Sequence, residues 1–194
     1  MTLALAVLLG YLAGRVAGGR LRNIARVPFA GWWLLIPALL DQAFLGLAPR
    51  AARAPLLVIA CLLLAGWCLL LRAPRQSRPG MYLLSAGIFS NTLAIALNGG
   101  MPVSRGALAA AGLPRNLDVS HGYLDKHVAM TSATHLSALG DVIPFRLIHN
   151  VISAGDIAML VGVAIAVRGA MLLAASQRVS RSLGELPRAS ERTT

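Results

Sequence analysis

"APLLVIACLLLAGWCLLL", residues 54–71, is a run of 18 residues without a charge. A hydrocarbon core about 30 Å thick takes roughly 20 mainly apolar residues in a helix that rises 1.5 Å per residue. A run of this length reads as a membrane span, and it sets the terms on which the rest of the chain is read.

Four further apolar runs flank it, at residues 3–17, 29–47, 81–97 and 151–175. The second is broken by Asp41-Gln42. The run 81–97 has only Ser85, Ser90, Asn91 and Thr92 as polar breaks, and 151–175 has Asp156 near one end and Arg168 towards the other. Over 194 residues the chain is 57% apolar and 13% charged, with mean hydropathy +0.69, where a soluble domain carries roughly 25% charged residues. Five such runs leave nothing soluble to bury them. The expected fold class is therefore all-α: a polytopic membrane protein with about five transmembrane helices. Residues 1–175 read as one integral membrane domain, with a structured outer segment at 98–150 between the fourth and fifth helices. Residues 176–194, rich in Arg and Ser, read as a disordered cytoplasmic tail. No basic residue precedes the first run and no A-x-A-like site follows it, so it reads as a helix rather than a signal peptide.

The net charge of +11 could suggest nucleic acid, but its distribution points to topology. Arg15, Arg20, Arg22 and Arg26, then Arg72, Arg75 and Arg78, then Arg178, Arg181, Arg188 and Arg192 hold 11 of the 18 basic residues. With five spans these three segments share one side. Positive residues gather on the cytoplasmic side, which places the amino end outside and the tail inside. Trp32 and Trp33 read as an aromatic belt at the inner interface. Membrane lipids are the expected partners, with a homodimer or other membrane subunits also open; nucleic acid is not expected. Cys61 and Cys68 are seven apart on one helix, about 10 Å of rise, too far for a disulfide.

Small residues recur every four positions: Gly10, Gly14 and Gly18 on the first span, and Ala154, Ala158, Gly162, Ala166, Ala170 and Ala174 on the fifth. The fourth carries Ala86, Ser90, Ala94 and Asn98 on one line, with Gly87 and Asn91 beside it. Such stripes let backbones approach closely in lipid, so a bundle of the first, fourth and fifth spans is expected. The same stripes would equally serve a dimer.

The outer segment opens with "LNGGMPVSRGALAAAGLP", residues 97–114. Gly99-Gly100 permits a tight turn, Ser104 caps a short helix running to Ala111, and Gly112 and Pro114 end it. A second short helix is expected over 132–139, closed by Gly140. Residues 142–150, broken by Pro144 yet rich in apolar side chains, read as an interfacial or re-entrant piece.

Most candidate functional residues fall in or beside this segment. Asn91, Asn98, Asp141 and Asp156 are the candidate binding residues of an outward-facing polar cavity. Asp41, His121, His127, His135 and His149 are secondary candidates. "SAGD", residues 153–156, also fits a capping box opening the last span, the structural alternative for Asp156. Asp141 could cap the next stretch of chain or pair with Arg146. Asn91 reads first as an interhelical hydrogen bond. Asp41 is an acid inside a span, near enough to its outer end to pair with Arg50 or Arg53. The histidine spacings match no tight ligand pattern, so no metal and no cofactor are expected.

"NGGMPVS", "LGDVIP" and "VISAGDI" together resemble an uncharacterised family of bacterial integral membrane proteins, a family of unknown function. It carries an N-G-G-x-M-P-V-S turn, a G-D-[IV]-I-P stretch and an I-S-x-G-D-[IV] entry to the last span. Here the turn is Asn98-Gly99-Gly100-Met101-Pro102-Val103-Ser104, one residue shorter. The resemblance covers the second half of the chain by motif and the first half by hydropathy. It implies a protein of the bacterial cytoplasmic membrane and no assigned activity.

No nucleotide-binding loop, H-E-x-x-H or G-x-S-x-G is present. The leading reading is a small, non-catalytic transporter or lipid/solute-binding protein. A scaffold subunit docking through the outer segment is the alternative. An intramembrane enzyme using loop His and Asp residues on a lipid headgroup is the third.

Overall fold

The computed structural model describes residues 2–27, 36, 50–70, 73–114 and 126–173. Apart from Ile36, the predicted second span, with Trp32, Trp33 and Asp41, lies outside them, as do His121 and the tail. Of the described residues, 68% are helical. Helix α1 is Thr2–Val16, α2 Arg50–Leu70, α3 Arg78–Asn98, α4 Arg105–Ala110 and α5 Ala154–Met171. Among the described residues three stretches, Ala52–Leu70, Arg78–Asn98 and Ala154–Met171, are long and apolar enough to cross a membrane. The first predicted span forms α1, whose 15 residues rise only about 22 Å.

The helices stack in the order α1, α5, α3, α2. The sequence stripes foresaw the company of α1, α3 and α5, but the contact line differs from the predicted one. The α3–α5 seam is Gly80, Leu84, Gly87 and Asn91 against Gly155, Met159, Gly162, Ala166 and Gly169. Both sides advance in alternating steps of four and three, a seven-residue repeat, rather than steps of four. Ala154, predicted on the stripe, is exposed. Glycine is required where the backbones meet: a Cβ on Gly162 would stand 2.6 Å from the Leu84 amide nitrogen and 2.7 Å from the Gly80 carbonyl oxygen.

On the other side of α5, Gly10 and Gly14 press against Ala164 and Met171, whereas Gly18 has left the helix and turns the chain at φ +77°. The Met171 carbonyl then accepts from the Arg20 amide at 3.0 Å and from Asn23 Nδ2 at 2.7 Å. Ser85 Oγ donates to the Ala65 carbonyl at 3.2 Å, pinning α3 to α2.

The segment between α3 and α5 departs from the all-α expectation. Gly99 ends α3 in the left-handed region at φ +72°, and Met101–Val103 (β1) pairs in parallel with His127–Ala129 (β2). Ser104 caps α4 as expected, accepting from the Ala107 amide at 3.3 Å. The helix expected at 132–139 shrinks to one 3-10 turn, Ser137–Leu139. Thr134 Oγ1 accepts from the Thr131 amide and Thr131 Oγ1 from the Ala133 amide, so hydroxyls take donors a helix would need. Residues 142–150, expected as an interfacial or re-entrant piece, carry secondary structure of their own. Ile143–Phe145 (β3) and Asn150–Ile152 (β4) make an antiparallel hairpin around a 3-10 turn at Arg146–Ile148.

The seam sets a direct test. Gly162→Ala should lower stability by about 1–3 kcal/mol, because α3 must shift. Gly66→Ala, whose Cβ would meet nothing within 4 Å, should be neutral or gain up to about 1 kcal/mol of helix propensity. Unfolding midpoints in detergent compare them; equal losses would contradict the packing described.

Candidate functional site

Strand β1 is the centre of a three-strand strip. It pairs with β2 along one edge and makes an isolated parallel bridge between Val103 and Asp141 along the other. Met101 is in register with His127, and Met101 and Val103 point to the same face. His127 and Asp141 therefore project from that one face, on either side of β1. The backbone fixes Asp141 firmly: its amide donates to the Pro102 carbonyl at 2.8 Å and its carbonyl accepts from the Ser104 amide at 3.0 Å.

Their side chains meet there. His127 Nε2 stands 3.3 Å from Asp141 Oδ2. Asp141 is 5% exposed, and the remaining polar atoms of the pair, Asp141 Oδ1 and His127 Nδ1, are buried without a hydrogen-bond partner among the described residues. An orphaned buried polar atom costs about 1–3 kcal/mol, so native structures keep few of them.

Both residues line a cavity of about 530 Å³, within the roughly 300–1,000 Å³ range of small-molecule sites. At its head stand His127, Asp141, Asn150 and Asp156. Below them the wall is apolar: Leu64 and Trp67 from α2, Leu84 and Ile88 from α3, Met159 and Val163 from α5. From Asp156 to Val163 the shaft runs about 10 Å along α5. The described lining residues include no hydroxyl, lysine or arginine.

Asp156 belongs to a second network as well. The capping box read from "SAGD" is present: Asp156 N donates to Ser153 Oγ at 2.9 Å and Ser153 N to Asp156 Oδ2 at 3.0 Å. Asn91 closes it into a ring, donating from Nδ2 to Asp156 Oδ1 at 2.8 Å and accepting from Ser153 Oγ at 2.9 Å. Its carboxylate also suits the positive end of the α5 dipole. One side chain on α3 thus locks the first turn of α5.

The residues proposed from the sequence separate into groups. Asp141 and Asp156 share the cavity with His127, and Asn91 stands behind Asp156. Asn98 is elsewhere: its Nδ2 donates to the Ala94 and His135 carbonyls at 2.8 and 3.0 Å, and its Oδ1 accepts from the His135 amide at 2.9 Å. It lines a separate shallow pocket with Thr131 and His135. The side chains of His135 and His149 are exposed. Asp41 and His121 lie outside the described residues. The pairing considered between Asp141 and Arg146 is replaced by the one with His127. Asn150 carried no signal in the sequence. Among the described residues, no three His, Cys, Asp or Glu side chains group as a metal site.

Burial is the largest influence on Asp141 and pushes its pKa above the ordinary carboxylate value; the hydrogen bond from His127 opposes this, and the Asp156 charge adds to it. The site can hold a proton on a buried carboxyl, or accept hydrogen bonds at two unfilled positions.

The described residues form a mostly helical fold with three helices long and apolar enough to cross a membrane and a cavity with a polar head and an apolar wall. A family profile described as "Family of unknown function (DUF5317)" matches residues 26–168, and the chain belongs to that family. The match reaches into the first half of the chain, beyond the motif-bearing part. No curated protein and no solved structure matches it.

The titration of Asp141 has a definite sign. Its folded pKa lies above the unfolded value, so the stabilisation is complete below about pH 4 and is lost as pH rises through the folded value. Asp141→Asn, neutral throughout, removes this slope. Unfolding midpoints taken from pH 4 upward should fall for the wild type relative to the variant, and parallel profiles would contradict the assignment.

Proposed function

We propose that this protein is a non-catalytic, multi-pass protein of the bacterial cytoplasmic membrane that binds, and in a transport cycle would carry, a small amphipathic molecule. One observation carries the reading: a single cavity joins an apolar shaft between helices to a head of three ionisable side chains, two of whose buried atoms lack a partner among the described residues. A site of mainly apolar wall with a few convergent polar groups is the usual form of a small-molecule pocket. In this reading there are five spans, the second contributed by residues 29–47. The amino end is outside, the arginine-rich connections are cytoplasmic, and the cavity opens outward beneath the 98–150 cap.

Native mass spectrometry of the protein released gently from its own membrane tests this, with Asp141→Asn alongside. A retained small molecule or lipid that is absent from the variant is the expected result. A bare chain in both, or a retained protein partner unaffected by the change, would move the weight to the scaffold reading.

A further inference from the structure

We infer that the head of the cavity takes an ammonium group, so that the ligand is a single-chain amphiphile with a positively charged, N–H-bearing head. The inference deepens the binding reading above and rests on it.

Hydrogen-bonding capacity defines the head. In a neutral His127 whose Nε2–H is directed at Asp141 Oδ2, the other ring nitrogen is an acceptor. Asp141 Oδ1 is an acceptor too. Both are buried and unpartnered among the described residues, and Asp141 lines the cavity while only 5% exposed. Buried acceptors without partners call for donors. A carboxylate or phosphate head brings only acceptors when ionised. A hydroxyl brings one donor. An ammonium brings three donors and no acceptor.

Charge agrees with this. The head holds two carboxylates and one imidazole, and no lysine or arginine is among the described lining residues. An anionic head would meet like charge in a poorly solvated place, whereas a cation offsets it. Asp156 contributes chiefly field, because its two oxygens already accept from Asn91 and the Ser153 amide. Asp141 contributes the unpartnered acceptor; a cation beside a carboxyl favours its ionised form, in which the hydrogen bond is roughly twice as strong as a neutral one. A quaternary head has the charge without the N–H groups and leaves both acceptors empty. A bare metal ion is disfavoured by the absence of a three-ligand group among the described residues. Beneath the head, the shaft past Trp67, Ile88, Met159 and Leu160 is apolar and suits one hydrocarbon chain.

The test is titration calorimetry on the full chain in phosphatidylcholine nanodiscs near neutral pH, with empty nanodiscs as blank. The probes are n-octylamine, n-octanol and n-octanoate. Octylamine should bind about tenfold or more tighter than octanol, and octanoate should show no saturable heat. Asp141→Asn should remove most of the octylamine advantage over octanol, and a cooperative unfolding transition in detergent reports that the variant is folded. Octanol equal to octylamine, or octanoate the tightest, would overturn the ammonium assignment and leave the cavity reading standing. No saturable binding of any probe would overturn the cavity reading itself. Once octylamine binding is established, displacement by a single-chain phosphoethanolamine lipid would assign the ammonium to a lipid headgroup, and retention of octylamine would assign it to a free amine.

Discussion

Backbone contact between α3 and α5 is the constraint on which the rest of the molecule depends. In lipid, two helices gain little by hiding apolar side chains from a solvent that is itself apolar, so close approach must supply the attraction. Gly80 and Gly87 on one helix and Gly155, Gly162 and Gly169 on the other make that approach possible. The Ser153–Asn91–Asp156 ring fixes the seam's register at one end, and the bond from Ser77 Oγ to the Ala166 carbonyl at 3.0 Å holds it near the other. With α5 placed, its opposite face receives α1 through Gly10 and Gly14, and α3 presents its far side to α2.

The cap follows from that arrangement. Asn98, at the last turn of α3, grips the backbone of His135 from both sides, and Gly99 turns the chain at once into β1. The strip built on β1 faces the bundle with Met101 and Val103, both buried. That buried face is also the one from which His127 and Asp141 project. The polar head of the cavity is thus held by main-chain pairing across three segments, while its apolar shaft is a gap between helices.

Some of this was legible in the sequence and some was not. Long charge-free runs announced the helices because hydropathy is a local property, and Ser104 and Ser153 announced their caps because a cap is read within four residues. The choice of packing face was only half visible. Small residues in steps of four marked α5 as a packing helix, but the seven-residue rhythm of its glycines selected the seam. The threonine-rich turn at 131–134 imitated a helix by composition and lost it to hydroxyl competition. The pairing of His127 with Asp141 had no local signature. It arises from three-residue strands, too short to show a period, brought together by a parallel ladder and a single bridge. Asp141 was among the candidate binding residues beforehand, whereas His127 was one secondary candidate among several.

The ring at Asn91 also has a consequence for how the chain is assembled. Asn91 and Asp156 are 65 residues apart, and α5 is the last of the described helices. Until it is in place, the glycine face of α3, the Asn91 amide and the glycine face of α1 lack the partners that the described residues give them. Contacts this distant in sequence close late, after the loop between them has been ordered or at least spanned. Among the described helices α5 therefore acts as a keystone: its arrival joins α1 to the α2–α3 pair. A chain stopped short of residue 153 would keep the α2–α3 pair with its Ser85–Ala65 bond and lose the described link between that pair and α1.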